Sequence, residues 1–218
     1  ILFGAPIRRI SLFELLNIRD LKSLAEVVEG ELKGENTQFE NLVLDSRLSG
    51  KASVFIALHG EKFDGNIYCS EALSNGCCAV ITDDPNIIGR SVLVKDTYMA
   101  LLKLAKNQLN HVNPKTLAIT GSNGKTTVKE MIGCILPSET TVITKDNENN
   151  EFGILYTVLK IKESTSHLIL ECGARKNGDF DLIVKYLNFD ALILTNLNNS
   201  HIGIFGSEEN IQKTKLKL

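Results

Sequence analysis

Residues Thr120–Thr127 read TGSNGKTT and bring together the residue types that a phosphate-binding loop needs. Gly121 and Gly124 let the backbone turn tightly enough for several N–H groups to face one anion. Lys125 is placed to reach terminal phosphates, and the Thr126 hydroxyl to ligate Mg2+. Ser122, Asn123 and Thr127 complete a candidate nucleotide-binding segment. The long form of such a loop has a further glycine ahead of its Gly-Lys pair, where this chain has Ile119. A glycine-rich turn that binds nothing would use the same residues. The flanks favour the phosphate reading. An apolar run leads in and an amphipathic helix leads out, so an anion would meet the free N–H groups and positive dipole end of a helix.

Other polar residues follow apolar runs in the same way. Leu168-Ile169-Leu170-Glu171 delivers a carboxylate from an apolar strand, which beside a phosphate loop suits Mg2+; an exposed strand-end glutamate is the alternative. Asp190–Asn196 is a further strand end, followed by His201. A lone histidine there is a metal ligand or simply a loop residue. Asn147-Glu148-Asn149-Asn150 is a turn-rich polar stretch. Asp45-Ser46-Arg47 follows the first strand; Arg47 suits a phosphate or carboxylate, with a surface ion pair as the ordinary alternative.

The elements that must position these residues read as α/β. Residues 20–30 predict a helix with Leu21, Leu24, Ala25 and Val28 on one face. Apolar runs at 42–44, 54–58, 79–82 and 92–94 predict strands, and 68–75 a helix closed by Gly76. Asp96 is a candidate N-cap for a helix ending before Asn113-Pro114. The pattern then alternates regularly. Strands at 116–120, 141–144, 167–172 and 190–195 are separated by helices at 125–136, 152–161 and 179–187, with Ser207 capping a last one. In helix 125–136, Val128, Met131, Ile132, Ile135 and Leu136 have core spacing. Such alternation predicts a mostly parallel sheet flanked by helices, with ligands at the carboxyl ends of its strands. Residues 1–95 and 96–218 are expected to be separate domains, with 1–19 an N-terminal helix or extension.

A net charge of −2 gives no broad basic surface for nucleic acid. No apolar run reaches the roughly 18 residues of a membrane span. Arg8 and Arg9 follow the first apolar residues rather than precede them, unlike a secretory signal, and Glu14 and Asp20 argue against a transit peptide. Five cysteines without a C-x-x-C pair fit reduced thiols and a cytoplasmic protein.

Four segments together with the short loop carry a resemblance to the Mur ligase family, whose phosphate loop has the form T-G-[ST]-N-G-K-T. They are LDSRLSGKASVFIALHGEKFDGN (44–66), TKDNENNEFG (144–153), LECGARKNGD (170–179) and TNLNNSHIGIFGSEENIQKTK (195–215). They are most similar to the branch that couples D-alanyl-D-alanine to UDP-N-acetylmuramoyl-tripeptide. The resemblance implies a small uridine-nucleotide-binding α/β domain followed by part of an ATP-binding domain, with a third domain outside the chain. It implies ATP and Mg2+ as cofactors, the two named small molecules as substrates, and a monomer. Ser46, Arg47, Asp64 and Gly65 would hold the UDP-sugar-peptide, and Gly124, Lys125 and Thr126 the ATP phosphates. Thr126 and Glu171 would bind one Mg2+ and His201 a second. Asn149 and Asn150 would line the path between acceptor and phosphate, and Lys215 aligns with a lysine that is carbamylated in the family. The chain departs from the pattern at Asn66, where histidine is usual, and at Asp146, Leu155, Gly203 and Leu216-Lys217. A homologue that binds nucleotide or UDP-sugar without forming amides remains the alternative.

Overall fold

The computed structural model describes residues 12–60, 63–145, 148–174 and 178–197. Its compact units divide between Asn107 and Gln108. In the first unit, β1 (Leu12–Glu14), α1 (Leu21–Val28), β2 (Glu31–Lys33), β3 (Asn41–Val43), β4 (Ser53–Ile56), β5 (His59–Gly60), β6 (Phe63–Asp64), α2 (Cys69–Ser74), β7 (Ala79–Thr82) and β8 (Ser91–Leu93) follow in order. The main sheet runs β1-β3-β4-β7-β8-β2. Its inner strands β3, β4, β7 and β8 are parallel, and β1 and β2 are antiparallel edges. Strands covered on both faces must be apolar throughout, and all four residues of β4 and of β7 are buried. Val43, Phe55, Ala57, Cys69, Ala72, Cys77 and Val80 form one core cluster that joins α2 to the sheet.

Leu12–Glu14 corrects the expectation of a helix or extension over residues 1–19 for the part that is described. Phe13 is buried between exposed Leu12 and Glu14, and that two-residue period suits a strand paired with β3. The α1 helix starts where Asp20 caps it by accepting the Lys22 and Ser23 N–H groups, and it buries the four apolar residues of its predicted face. The helix predicted at 68–75 is shorter: a 3-10 turn over Gly65–Tyr68 runs into α2.

α3 (Thr97–Val112) spans the division between the units, so the sequence boundary at 95/96 lies at its start. Asp96 Oδ1 accepts the Met99 N–H at 3.0 Å. The second unit then alternates β9 (Lys115–Thr120), α4 (Lys125–Ile135), β10 (Thr141–Ile143), α5 (Glu151–Leu159), β11 (His167–Glu171), α6 (Asp181–Tyr186) and β12 (Ala191–Leu194). Its sheet has the order β10-β11-β9-β12 and every pairing is parallel. Because β9 lies between β11 and β12, the segments leaving these three strands emerge side by side.

One expectation about α4 is corrected. Met131 is 61% and Ile135 81% exposed, while Lys129 is fully buried. The inward face runs through Val128, Lys129, Ile132, Gly133 and Leu136, and Met131 and Ile135 lie on the far side of the 3.6-residue turn. Gly133 helps set this orientation, since a Cβ there would stand 3.0 Å from Ile143 Cδ1 on β10. The helix expected at Ser207 lies outside the described residues, as do Asn147, His201 and Lys215.

Candidate functional site

The loop after β9 is shaped by its two glycines. Gly121 has φ +144° and Gly124 φ +79°, both unfavourable for a residue with a Cβ. At Gly121 a Cβ would also overlap the Thr195 hydroxyl. Gly124 caps α4 through its backbone alone, and among the described residues no side chain is bonded to the first-turn N–H groups. These N–H groups have no intrahelical acceptors, so the helix start is open to an anion. The Lys125 ammonium folds back over the loop, donating to the Gly121 carbonyl at 2.8 Å and the Ser122 carbonyl at 3.5 Å.

The segment after β12 pins the loop from the other side. Ser122 N–H donates to the Asn196 carbonyl at 3.0 Å, and Asn123 N–H to Asn196 Oδ1 at 2.9 Å. The Asn123 carbonyl accepts from Thr195 Oγ1 at 2.6 Å and Asn196 Nδ2 at 3.1 Å. Residue-by-residue reading gave Thr195 and Asn196 no role. The available signal was their position immediately after a strand that neighbours β9.

β11 brings Glu171 to the same place, 1% exposed. Its N–H donates to Thr144 Oγ1 at 3.0 Å, which fixes the backbone. One carboxylate oxygen, Oε1, accepts from Thr126 Oγ1 at 3.2 Å and from Asn149 Nδ2 at 3.0 Å. The other, Oε2, is buried without a hydrogen bond, and the ammonium of Lys129 stands 3.6 Å from it. A buried carboxylate costs several kcal/mol unless it is paired. Lys129 is the residue that sequence reading missed; a lysine inside a helix pattern reads as solvent-facing.

The donor set fits Mg2+. A threonine hydroxyl and a carboxylate are hard oxygen donors, and Mg2+ takes one or two carboxylates while water and phosphate oxygens fill its octahedron. No group of three His, Cys, Asp or Glu side chains suited to a metal occurs among the described residues, so a cage built wholly of protein is absent from that part. Thr126 and Glu171, expected to share one Mg2+, are thus in contact, and Asn149, expected to line the path between acceptor and phosphate, meets the same carboxylate oxygen. Asn150 has a different contact: its side chain accepts the Gly153 N–H at 2.9 Å and caps α5.

The four residues expected to hold a UDP-sugar lie in the first unit, around α2. Ser46 and Arg47 begin the 3-10 turn Ser46–Leu48, capped by Asp45. Ser46 Oγ donates to Glu71 Oε2 on α2 at 3.0 Å. Arg47 Nε and Nη2 reach the two oxygens of Asp45 at 2.9 and 2.6 Å. These hydrogen bonds from the guanidinium hold the Asp45 carboxyl below its ordinary range. Asp64 caps the next 3-10 turn through the Asn66 N–H at 2.8 Å. Gly65 packs so closely on the chain at Ala57 and Leu58 that a Cβ would stand 2.5 to 2.7 Å from backbone atoms. Asn66 Nδ2 donates to Asp83 Oδ1 at 2.8 Å and its Oδ1 accepts from Thr82 Oγ1 at 2.7 Å. His59 Nε2 shares Asp83 Oδ1 at 2.8 Å.

With this geometry in view, residues 119–218 match the Mur ligase middle domain. The chain is 38% identical over 210 residues to the UDP-N-acetylmuramoyl-tripeptide--D-alanyl-D-alanine ligase of Bacillus subtilis (strain 168), covering 92% of this chain and 46% of that protein. It is similar to the crystal structure of MurF from Acinetobacter baumannii, with TM-score 0.82 and 28% identity over 95% of this chain and 46% of that one. The MurF ligase of Thermotoga maritima, solved in complex with ADP, gives TM-score 0.74 and 32% identity over 81% of this chain and 42% of its own. The chain spans about half the length of the relatives it matches. Residues 119–218 thus carry the Mur ligase middle domain, and the likeness to ligases of that family runs over most of the chain.

Proposed function

We propose that this chain carries the UDP-sugar-peptide-binding domain and part of the ATP-binding domain of a cytoplasmic, monomeric ligase. That enzyme joins D-alanyl-D-alanine to UDP-N-acetylmuramoyl-tripeptide in peptidoglycan precursor synthesis. The observation that carries the reading is the glycine-capped start of α4 opening beside the Thr126–Glu171 pair. The similarity to ligases of this name supports the choice of substrates, and the ADP held by the Thermotoga maritima relative supports ATP.

In this reading the loop N–H groups and the α4 dipole hold the ATP phosphates. Lys125 exchanges the loop carbonyls for phosphate oxygens, which are stronger acceptors because they are charged. Thr126 and Glu171 hold Mg2+, which neutralises charge on the phosphates when bound. His201 and Lys215 serve a second metal site. The terminal phosphoryl group passes to the tripeptide carboxylate, giving an acyl phosphate. The amine of D-alanyl-D-alanine then attacks the acyl carbon, phosphate leaves and an amide remains. The protein's share is positioning and charge stabilisation. Asn149 lies beside Glu171 on the acceptor side, while Ser46, Arg47, Asp64 and Gly65 hold the UDP-sugar end.

The test is phosphate release from ATP and Mg2+ by the full-length protein, with each substrate withheld in turn, beside a Lys125→Ala variant. Release is expected only with both substrates present, and the variant is expected to lose it. Release indifferent to either substrate, or retained in the variant, would sink the proposal.

A further inference from the structure

We propose that Lys129 is a positioning residue for Glu171, holding the carboxylate so that Oε1 faces Thr126 and the phosphate loop. The inference rests on the ATP and Mg2+ reading above and concerns a residue that this reading does not use. Lys129 has no exposed surface, and its side chain runs inward from α4 one turn after Lys125. Lysine is almost never fully buried unless it is paired. Its ammonium meets two carboxylates, Glu130 Oε1 at 3.1 Å and Glu171 Oε2 at 3.6 Å. Glu130 is an exposed side chain, whereas Glu171 is as buried as the lysine.

The division of contacts on Glu171 is what points to positioning. Thr126 and Asn149 both address Oε1, and among the described residues Lys129 alone faces Oε2, which lacks a hydrogen bond there. The carboxylate is therefore held at both oxygens, one by Thr126 and Asn149 and the other by Lys129, and this division fixes the plane of the group. A positive charge at this distance also offsets part of the cost of burying the carboxylate. Partners of this kind behind a metal ligand commonly set metal affinity as strongly as the ligand's own geometry.

The experiment is ADP binding by calorimetry in the full-length protein, with Mg2+ and with EDTA in its place, so no turnover is needed. Lys129→Met keeps the bulk of the side chain and removes the charge. Its Mg2+-dependent gain in affinity is expected to fall roughly tenfold, while affinity in EDTA stays within about twofold of the parent. Glu130→Gln, which alters only the exposed partner, is expected to keep the full gain. In a Glu171→Gln background the gain is already lost, and adding Lys129→Met should take nothing further, the coupling expected of one acting through the other. Lys129→Gln, which removes the same charge, replaces the methionine variant if the latter does not fold, with a loss again confined to the Mg2+-dependent gain.

An unchanged or larger gain in Lys129→Met overturns the proposal. So does an equal loss with and without Mg2+, which would mark a merely structural lysine, or a further loss in the Glu171→Gln background. If the parent protein binds no ADP in either condition, the ATP-site reading itself falls and takes this inference with it. A parent that binds normally beside an indifferent Lys129→Met removes only the lysine.

Discussion

The two units treat the polar groups at their strand ends in opposite ways. In the first, acidic side chains close the turns: Asp45 and Asp64 each cap a 3-10 turn, and Arg47 is bound to Asp45. In the second, the start of α4 is capped by glycine without a side chain, and the loop before it is held by Asn196 from outside. A helix start that satisfies itself has little left for a ligand. One whose N–H groups are exposed while its loop is pinned from behind is preorganised for an anion. The contrast predicts rigid structural roles for glycine in the first unit and ligand-dependent roles in the second.

Paired substitutions test that contrast most severely. Gly121→Ala forces a Cβ into the left-handed region and onto Thr195. A strain of about 1–3 kcal/mol corresponds to a nucleotide Kd weaker by roughly fivefold to 150-fold. Gly65→Ala puts a Cβ against the backbone of Ala57 and Leu58. It should lower stability by about 1–3 kcal/mol through overpacking and leave nucleotide Kd unchanged. Calorimetric titration with ADP and denaturant unfolding of both variants give the comparison. Equal loss of ADP affinity in Gly65→Ala would erase the distinction between the units.

A smaller effect is expected from Asn196→Ala. Its amide bridges Asn123 N–H and carbonyl, and each lost hydrogen bond is worth about 1 kcal/mol. The loop should then bind ADP about tenfold more weakly with little change in the unfolding midpoint. Unchanged affinity would mean the loop holds its shape without the segment that follows β12.

How much of this was legible in the sequence follows from where the information is stored. β7 matches its apolar run residue for residue, because a strand buried on both faces needs no partner's pattern to be recognised. The loop was legible because glycine, lysine and threonine at fixed spacing have one economical physical use. β1 and β2 were not, since three-residue edge strands exist only through pairing with β3 and β8. Lys129 was hidden for the same reason. Its burial is decided by Glu171, on a strand far along the chain, and nothing within VKEM announces it. The exposed Met131 and Ile135 are the reciprocal error, where apolar spacing alone pointed to the wrong side of α4.

The mildest test compares two caps, one in each unit. Asp20 caps α1 and Asn150 caps α5, each from extended backbone, but only the aspartate ionises. The Ser23 N–H and hydroxyl, then Asn36 and the Lys22 N–H, favour the charged carboxylate and hold Asp20 below its ordinary 3.8. A depressed folded value means the stabilisation is complete above about pH 4 and is lost as pH falls through that lower value. Replacing either cap by alanine should cost about 1 kcal/mol at pH 7, within the usual range for a lost N-cap. On acidification the cost of Asp20→Ala should shrink by the part its charge supplies, while that of Asn150→Ala should stay constant. Urea unfolding of the two variants and the parent at pH 7 and in steps below pH 4 separates them. A cost for Asp20→Ala that does not change with pH would mean that its charge contributes nothing, and that the first unit's caps work by shape as the second unit's do.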